Sequence, residues 1–324
     1  MMNPNYYTIH VGDCLETLKG LPDSSIHTCI TSPPYWGLRD YGVDGQIGLE
    51  ESFEKYVEKM VEVFREVKRV LRDDGTVWLN LGDSYAGSGG PGSQYNKLSK
   101  GEFKKYKNPN RNIDKLKAKD LVGIPWMVAF ALRADGWYLR QDIIWNKPNP
   151  MPEPVRDRCT KAHDYIFLLS KSPQYFYDAD AIREKTGSEM SWKEYNKKTA
   201  PGKTWKSGGI TKYAGANKKD GGQSHPAGRN KRSVWTITTK PFKGAHFATF
   251  PLDLIEPCVL AGCPVNGTVL DPFGGSGTTA CAALKHGRSA ILCELNPDYA
   301  ELAENRIEDF KKTIGMVHEK MEWV

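Results

Sequence analysis

A strand, a tight turn and a helix follow one another in Val269-Leu270-Asp271-Pro272-Phe273-Gly274-Gly275-Ser276-Gly277-Thr278-Thr279. The apolar residues predict the strand, the glycines the turn, and the closing threonines the start of the helix. Glycines in this position let the backbone approach a ligand closely and point its amide groups at it. A second predicted strand, residues 291–293, ends at Glu294, 23 residues after Asp271. A carboxylate there is placed to accept hydrogen bonds from the hydroxyls of a ribose.

The ligand expected at this turn is a nucleoside without phosphates. The turn lacks the G-x-G-x-x-G spacing of dinucleotide sites, and no lysine follows its last glycine as in a phosphate-binding loop. The glycines alone would also suit a purely structural turn. Glu294 at the end of the next strand makes that alternative the weaker interpretation.

The rest of the chain alternates between predicted strands and helices. Apolar residues recur at helical spacing over residues 53–71, and residues 124–134 predict another helix. Residues 165–169 and 174–177 predict a hairpin around a Lys-Ser-Pro turn. Further predicted strands cover residues 25–31, 76–81, 141–145 and 268–270. This alternation predicts an α/β fold with a mainly parallel sheet.

Positive charge is concentrated in two segments that lack such periodicity. Residues 181–240 contain 14 Lys and Arg against 4 Asp and Glu, whereas the rest of the chain contains 31 against 35. Residues 95–119 contain nine basic and two acidic residues, within a stretch (86–119) whose composition predicts a mobile loop. One basic run is typical of a solvated loop, but two in one chain favour a polyanionic partner.

Composition narrows the class of protein. Of the 324 residues, 39% are hydrophobic and 26% are charged, as is typical of globular proteins. The N-terminal residues lack the pattern of a signal peptide, and no apolar run reaches the length of a membrane span. We therefore expect a cytoplasmic protein without a membrane partner. The seven cysteines form no C-x-x-C pair, which predicts reduced thiols, no disulfide and no bound metal.

A rigid turn follows the predicted strand at residues 25–31: Thr31-Ser32-Pro33-Pro34-Tyr35-Trp36. Two successive prolines lock the backbone, so that the Pro33 carbonyl and the Ser32 hydroxyl have fixed directions. Tyr35 adds a flat face on the same turn. Taken alone, the segment would also suit a Pro-Pro turn before a core aromatic residue.

Together, the two segments resemble the motifs of a known enzyme family. Ser32-Pro33-Pro34-Tyr35 resembles the catalytic motif of amino-methyltransferases that act on DNA, and residues 271–278 are similar to their cofactor motif. Residues 12–13, 145–149 and 246–251 match further segments of the family. The catalytic motif precedes the cofactor motif, as in the circularly permuted β group.

The resemblance implies an architecture. It is a Rossmann-like, S-adenosylmethionine-dependent methyltransferase fold, circularly permuted, with a seven-stranded sheet in which one strand is reversed. Residues 1–180 would form the catalytic part of the core, and residues 241–324 its cofactor-binding part. Between them, residues 181–240 would be a basic insertion that recognises the target sequence.

The resemblance also implies a reaction. A methyl group would pass directly from S-adenosylmethionine to the exocyclic amine of a base flipped out of double-stranded DNA. The amine would donate to Ser32 Oγ and the Pro33 carbonyl while Tyr35 stacks on the base, so these three and Pro34 are the implied catalytic residues. The implied cofactor-binding residues are Asp13, Thr31, His246, Phe247, Thr249, Asp271, Pro272, Phe273, Gly274, Gly275, Ser276, Gly277, Thr278 and Glu294.

Several alternatives stay open at this point. Serine in the first motif position resembles the N4-cytosine group, whereas aspartate is more usual for N6-adenine; N4-cytosine is favoured, with N6-adenine and, less favoured, RNA as alternatives. C5-cytosine methylation needs a nucleophilic cysteine, but Cys258 lies in an apolar helical stretch that predicts a core thiol. An inactive DNA-binding module is disfavoured because both motifs are intact.

Some properties are not fixed by the sequence. Four polar residues near strand ends either border the target pocket or form local hydrogen bonds there: Asn80, Asp83, Asn146 and Lys147. The recognition sequence, a cognate restriction endonuclease as partner, and the choice between monomer and homodimer also stay open.

Overall fold

The computed structural model describes residues 6–87, 95–97, 103–105, 116–185, 228–239 and 250–321. The strands are β1 (Tyr7–Val11), β2 (Ile26–Thr31), β3 (Leu71–Leu81), β4 (Tyr95–Lys97), β5 (Phe103–Lys105), β6 (Tyr138–Asn146), β7 (His163–Ser170), β8 (Val234–Thr236), β9 (Thr268–Asp271) and β10 (Ser289–Glu294). The α-helices are α1 (Cys14–Gly20), α2 (Phe53–Val70), α3 (Ile124–Ala134), α4 (Leu252–Gly262), α5 (Thr278–Lys285) and α6 (Pro297–Met321).

Eight of these strands form one mixed sheet in the order β1-β10-β9-β2-β3-β7-β6-β8. Neighbouring strands run parallel except at β7, which is antiparallel to both β3 and β6. The expected Rossmann-like α/β sheet with one reversed strand is therefore confirmed. It has eight strands rather than seven, because β8 pairs with the end of β6 and brings Trp235 opposite Trp145. β8 lies inside the segment that composition assigned to the insertion.

The two sequence motifs meet where the strand order changes direction. β9 and β2 are parallel neighbours, with Leu270 opposite Cys29. From β9 the chain proceeds to β10 on one side, and from β2 it proceeds to β3 on the other. The loops that follow β9 and β2 therefore leave the sheet in opposite directions and open a crevice at its carboxyl edge. Open α/β sheets bind their ligands in such a crevice.

Helix α2 buries an apolar stripe in the hydrophobic core beside the sheet. Tyr56, Met60, Phe64 and Val67, spaced three or four residues apart, are fully buried. Ser52 caps the helix by accepting a hydrogen bond from the amide of Lys55. The observed bounds of α2 and α3 lie within one residue of the predicted ones, because periodicity and capping are local signals.

The hairpin predicted around the Lys-Ser-Pro turn is wrong. β7 pairs with β3 and β6 instead, and residues 174–177 form no strand. The amide of Phe176 donates to the carbonyl of Asp74 at 2.9 Å, and the Tyr177 ring stacks on Trp78 with their centroids 6.2 Å apart. The aromatic residues that suggested a strand thus pack on the sheet without extending it.

The predicted mobile loop, residues 86–119, contains one regular feature among its described residues. β4 and β5 form a two-stranded antiparallel ribbon, which the polar composition did not predict. Most of the remaining loop lies outside the described residues. Among the described helices, none combines the length and apolar character required to cross a membrane.

The chain divides into two compact units, one comprising residues 1–178 and 233–324 and the other residues 179–232. The described part of the second unit contains a short 3-10 helix, Asp180–Ile182. The two chain segments that begin and end the second unit are joined by backbone hydrogen bonds between Glu184 and Arg229, with lengths of 2.9 and 3.0 Å. The Glu184 carboxylate also accepts from Arg229 and Arg232, so the base of this unit is fixed by charge as well as by backbone pairing.

Candidate active site

The glycine turn lies tightly against β10. The amide of Gly274 donates to the carbonyl of Cys293 at 2.8 Å, and the amide of Gly275 donates to Glu294 Oε2 at 2.8 Å. A Cβ added to Gly274 would lie 2.9 Å from Leu292 Cβ. Gly277 has a φ of +75° and caps α5. A larger residue at Gly274 would push the turn away from the strand, and an L-residue at Gly277 would be strained.

Asp271 supports this turn from below. Its buried carboxylate accepts from Thr31 Oγ1 and Thr279 Oγ1, both at 2.6 Å, and from the amide of Phe273 at 3.1 Å. Burial raises the pKa of Asp271 to about 6, although the two hydroxyl donors act in the opposite direction. These bonds join the end of β2, the glycine turn and the start of α5. Thr31 and Asp271 therefore hold the site together from outside the pocket wall.

A pocket opens at the carboxyl edge of β9, β10 and β2. Its empty space is about 880 Å³, including the solvent at its mouth. The predicted site residues on its wall are Asp13, Ser32, Pro34, Pro272, Phe273, Gly274, Gly275, Ser276, Thr278 and Glu294. Residues on the wall that were not predicted include Tyr41, Val43, Gln46, Ile47, Phe250, Leu295, Asn296 and Tyr299.

Two carboxylates on the wall also organise the local backbone. Glu294 Oε1 accepts from the amide of Asn296 at 2.9 Å while its Oε2 binds Gly275, and burial raises the pKa of Glu294. Asp13 Oδ1 accepts from the amide of Leu15 at 2.8 Å and caps α1. Both carboxyl groups are thus held in position by backbone amides before any ligand binds.

Arg306 of α6 holds the far side of the glycine turn. Its Nη1 lies 2.9 Å from the Ser276 carbonyl, 2.7 Å from Ser276 Oγ and 2.8 Å from Thr278 Oγ1, and its two hydrogens are shared among these three acceptors. Burial lowers the pKa of this guanidinium. The contact was not foreseen, since Arg306 lies in an amphipathic helix where an arginine is usually a solvated surface residue.

We expect Arg306→Met to raise the Kd for S-adenosylmethionine, the expected cofactor, by about tenfold, because the turn loses its charge-assisted contacts with Arg306 but keeps its bonds to β10. Isothermal titration calorimetry measures this change. Lys312→Met, on an exposed part of the same helix, is the matched control and should bind as the wild type does. An Arg306→Met variant with unchanged Kd would show that the turn needs no support from α6.

The proline turn after β2 is anchored on two sides. Tyr56 OH donates to the Pro34 carbonyl at 3.0 Å, and the amide of Gly37 donates to the Gly48 carbonyl at 2.8 Å. Trp36 is buried, and its Nε1 donates to the Glu50 carbonyl at 3.0 Å. The turn therefore combines a core aromatic anchor with exposure of Ser32 and Pro34 on the pocket wall.

Polar side chains from β3 and β7 contact the residues of the proline turn. Ser32 Oγ donates to Asn80 Oδ1 at 3.3 Å, and Tyr35 OH lies 3.2 Å from both Asn80 Oδ1 and Asp164 Oδ2. Asn80 Nδ2 donates to the Tyr165 carbonyl at 2.9 Å, which fixes the orientation of the amide. Burial, and then the charge of Asp164, raise the pKa of Tyr35 well above its usual range. The phenol is therefore protonated and acts as a donor.

Asp164 is a member of this cluster that sequence reasoning missed. It lies near the start of β7, is buried, and forms an ion pair with Lys147. The sequence did contain a signal for it, a carboxylate at the start of an apolar strand. Because aspartate is rarely buried without a partner, such a residue indicates an ion pair or a polar cluster. Of the other polar residues singled out, Asp83 caps α3 through the amides of Gly123 and Ile124.

The remaining candidates lie elsewhere. Asn146 Nδ2 donates to Thr236 Oγ1 at 3.1 Å, on the edge of the sheet. Cys258 is fully buried in α4, and its Sγ contacts the Leu254 carbonyl, as expected for a core thiol. His246, Phe247 and Thr249 lie outside the described residues. In the part of the chain that the structure describes, no three or more His, Cys, Asp and Glu side chains are grouped so as to hold a metal ion.

Comparison with known proteins agrees with the motifs. Residues 26–305 match the N6/N4 methyltransferase family, described as DNA methylase. The Type II methyltransferase M.Cfr9I of Citrobacter freundii is 45% identical over 311 residues, which cover 94% of this chain and 88% of the relative. The Type II methyltransferase M.SmaI of Serratia marcescens is 46% identical over 300 residues, covering 92% and 90%.

Solved structures share the fold. A putative DNA modification methylase from Thermus thermophilus, complexed with S-adenosyl-L-methionine, superposes with a TM-score of 0.56 and 25% identity over 94% of this chain and 95% of its own. The PvuII DNA methyltransferase (cytosine-N4-specific) superposes with a TM-score of 0.61 and 19% identity over 96% and 94%. The family match and the two nearly full-length relatives show that this chain belongs to the N6/N4 family of DNA methylases.

Proposed function

We propose that this DNA methyltransferase methylates the N4 amine of cytosine in double-stranded DNA at a specific site. The observation that carries the proposal is that Ser32 and Pro34 lie on the wall of the same pocket as the glycine turn and Glu294. An acceptor for a base amine and a cradle for a nucleoside are thus neighbours at one sheet edge.

The residues of the pocket fit S-adenosylmethionine, which supplies an electrophilic methyl group on its sulfonium. Glycines line the wall, the turn has no lysine that could bind phosphates, and the Glu294 carboxylate is placed for ribose hydroxyls. The rings of Tyr41 and Tyr299 stand edge to face beside it, with centroids 6.2 Å apart, and offer an apolar flank for adenine. Asp13 and Phe273 complete the proposed cofactor contacts.

The proline turn, residues 31–36, is proposed as the catalytic turn. It must raise the reactivity of an amine whose lone pair is delocalised into the base. Ser32 Oγ and the Pro33 carbonyl would accept the two amine hydrogens, which favours a pyramidal nitrogen and stabilises the positive charge that develops on it. Ser32 donates its own proton to Asn80, so the lone pairs of its oxygen are left to accept. The ring of Tyr35 would hold the base in line with the methyl carbon.

Access to this turn requires the base to leave the duplex. Unstacking costs a few kcal/mol, which hydrogen bonds and stacking in the pocket would offset. We assign DNA binding to the basic insertion, residues 181–240, with the basic loop of residues 86–119 as a second contact. The relatives are Type II methyltransferases, which supports a restriction-modification system and a cognate endonuclease as partner.

We propose N4-cytosine rather than N6-adenine because the residue at the first motif position is a neutral hydrogen-bond acceptor. Ser32 is an uncharged hydroxyl, whereas aspartate there would present a carboxylate. The cytosine-N4-specific PvuII enzyme shares the fold and supports this choice. N6-adenine is the second candidate, because a hydroxyl can accept from either amine.

We expect the purified enzyme to transfer tritiated methyl groups to duplex DNA and to yield N4-methylcytosine on nucleoside analysis. RNA and protein substrates in parallel reactions should stay unlabelled. Tyr35→Ala serves as the control variant, since it removes the ring that holds the base but leaves the pocket wall intact. Recovery of N6-methyladenine alone would overturn the choice of base, and labelling of RNA in preference to DNA would overturn the substrate.

A further inference from the structure

A partly buried ion pair lies behind the catalytic turn. Lys147 Nζ is 2.5 Å from Asp164 Oδ2, and only 7% of the Asp164 side chain is exposed. Burying two charges costs desolvation energy that their attraction often fails to recover, so such a pair is weak evidence for stability alone. The place of this pair in the hydrogen-bond network indicates another role.

One phenol connects Asp164 to the catalytic turn. Tyr35 OH lies at the same distance, 3.2 Å, from Asp164 Oδ2 and from Asn80 Oδ1. A phenol carries one proton, so it donates fully to only one of these two oxygens. A carboxylate accepts more strongly than an amide oxygen, and the proton therefore goes to Asp164.

The acceptor to which Tyr35 donates determines the orientation of the Ser32 hydroxyl. With the phenol directed at Asp164, Asn80 Oδ1 is available to the proton of Ser32 Oγ at 3.3 Å. The Ser32 oxygen then turns its lone pairs away from Asn80. If Tyr35 donated to Asn80 instead, the amide oxygen would accept from two hydroxyls at once, and the bond that fixes the rotation of the Ser32 hydroxyl would be weaker.

We propose that Asp164, with Lys147 as its counter-ion, is a positioning residue that engages the Tyr35 hydroxyl, reserves Asn80 for Ser32, and thereby orients the Ser32 oxygen as an acceptor. The inference deepens the proposed function, since it rests on Ser32 accepting from the target amine. Lys147 also lies over the Trp145 ring, 4.4 Å from its centroid, which holds the ammonium beside Asp164.

A double-mutant cycle on single-turnover methyl transfer to duplex DNA tests this proposal. We expect Asp164→Asn to lower the rate about tenfold in the wild-type background and less than about twofold in Tyr35→Phe, because the phenol that carries the effect is absent there. The Kd for S-adenosylmethionine should be unchanged in all four proteins, since neither residue lines the cofactor pocket. Equal losses in both backgrounds, or no loss in either, would overturn the proposal.

Matched variants separate positioning from folding. Asp309→Asn removes an exposed carboxylate that pairs with Lys312 on α6, and should leave the rate unchanged. Asp164→Asn leaves a lysine unpaired, which is unfavourable on electrostatic grounds and can lower the melting temperature. In that case Lys147→Met/Asp164→Asn, which has no unpaired charge, replaces it in the cycle with the same expected coupling to Tyr35.

A second readout does not depend on the reaction. In protein labelled with ¹³C at tyrosine Cζ, the Tyr35 signal is the one missing from Tyr35→Phe. Asp164→Asn should shift this signal, because the phenol changes its acceptor, and Asp309→Asn should leave it in place. An unshifted signal would refute the inference even if the base choice holds, while a shifted signal with N6-methyladenine as product would refute only the base choice.

Discussion

Gly82→Ala is expected to lower the rate of methyl transfer by about 100-fold while the Kd for S-adenosylmethionine stays unchanged. Gly82 follows β3 directly, and a Cβ there would lie 2.3 Å from Tyr35 Cε2 and 3.1 Å from Asp164 Oδ1. The Tyr35 ring must move to make room, and its hydroxyl then moves away from Asp164 Oδ2 and Asn80 Oδ1. A misplacement of about 1 Å in a reacting group is enough for a loss of this size.

Two measurements on the same protein test the effect of Gly82→Ala. The single-turnover rate of methyl transfer to duplex DNA reports on the geometry of the catalytic turn. The calorimetric Kd for S-adenosylmethionine reports on the cofactor pocket, whose wall includes neither Gly82 nor Tyr35. Gly20→Ala is the control, because a methyl group added there meets nothing within 4 Å. A wild-type rate in Gly82→Ala would mean that the position of the Tyr35 ring does not limit the reaction.

The sensitivity of Gly82 illustrates where sequence reasoning stops. The glycine turn, Glu294 and the proline turn were predicted from short runs of residues, because each motif carries its own backbone requirement. Gly82 belongs to no motif that would mark it in the sequence. Its importance comes from a side chain 47 positions earlier in the chain that packs against it in the fold.

The same limit applies to the fold. α2 and α3 were predicted to within a residue because their apolar spacing is local. β8 was missed because three residues with one buried side chain, Trp235, form a strand only when β6 is already beside them. Tyr41, Gln46 and Ile47 were missed as wall residues because the loop that carries them has no periodicity. Partners distant in the chain decide each of these cases.

The second large effect is expected at the cofactor pocket. Glu294→Ala should raise the Kd for S-adenosylmethionine by about 100-fold or more, because a carboxylate that would bind ribose hydroxyls is lost and each charged hydrogen bond is worth about 1.5–3 kcal/mol. The amides of Gly275 and Asn296 lose their acceptor in the same change, so the turn is loosened as well. Glu301→Ala, on the exposed side of α6, is the control and should bind as the wild type does.

The protonation of Glu294 gives the same prediction a pH dependence. Burial raises the pKa of Glu294 above its usual value, so the carboxylate takes up a proton at a higher pH than an exposed glutamate does. The neutral acid is a poorer acceptor for ribose and for the two amides, and the Kd should therefore rise as the pH falls through this range. Calorimetric titrations across that range should show the rise in the wild type and a flatter profile in Glu294→Gln, which has no carboxylate to protonate. Parallel profiles in the two proteins would assign the acid-sensitive step to a group other than Glu294.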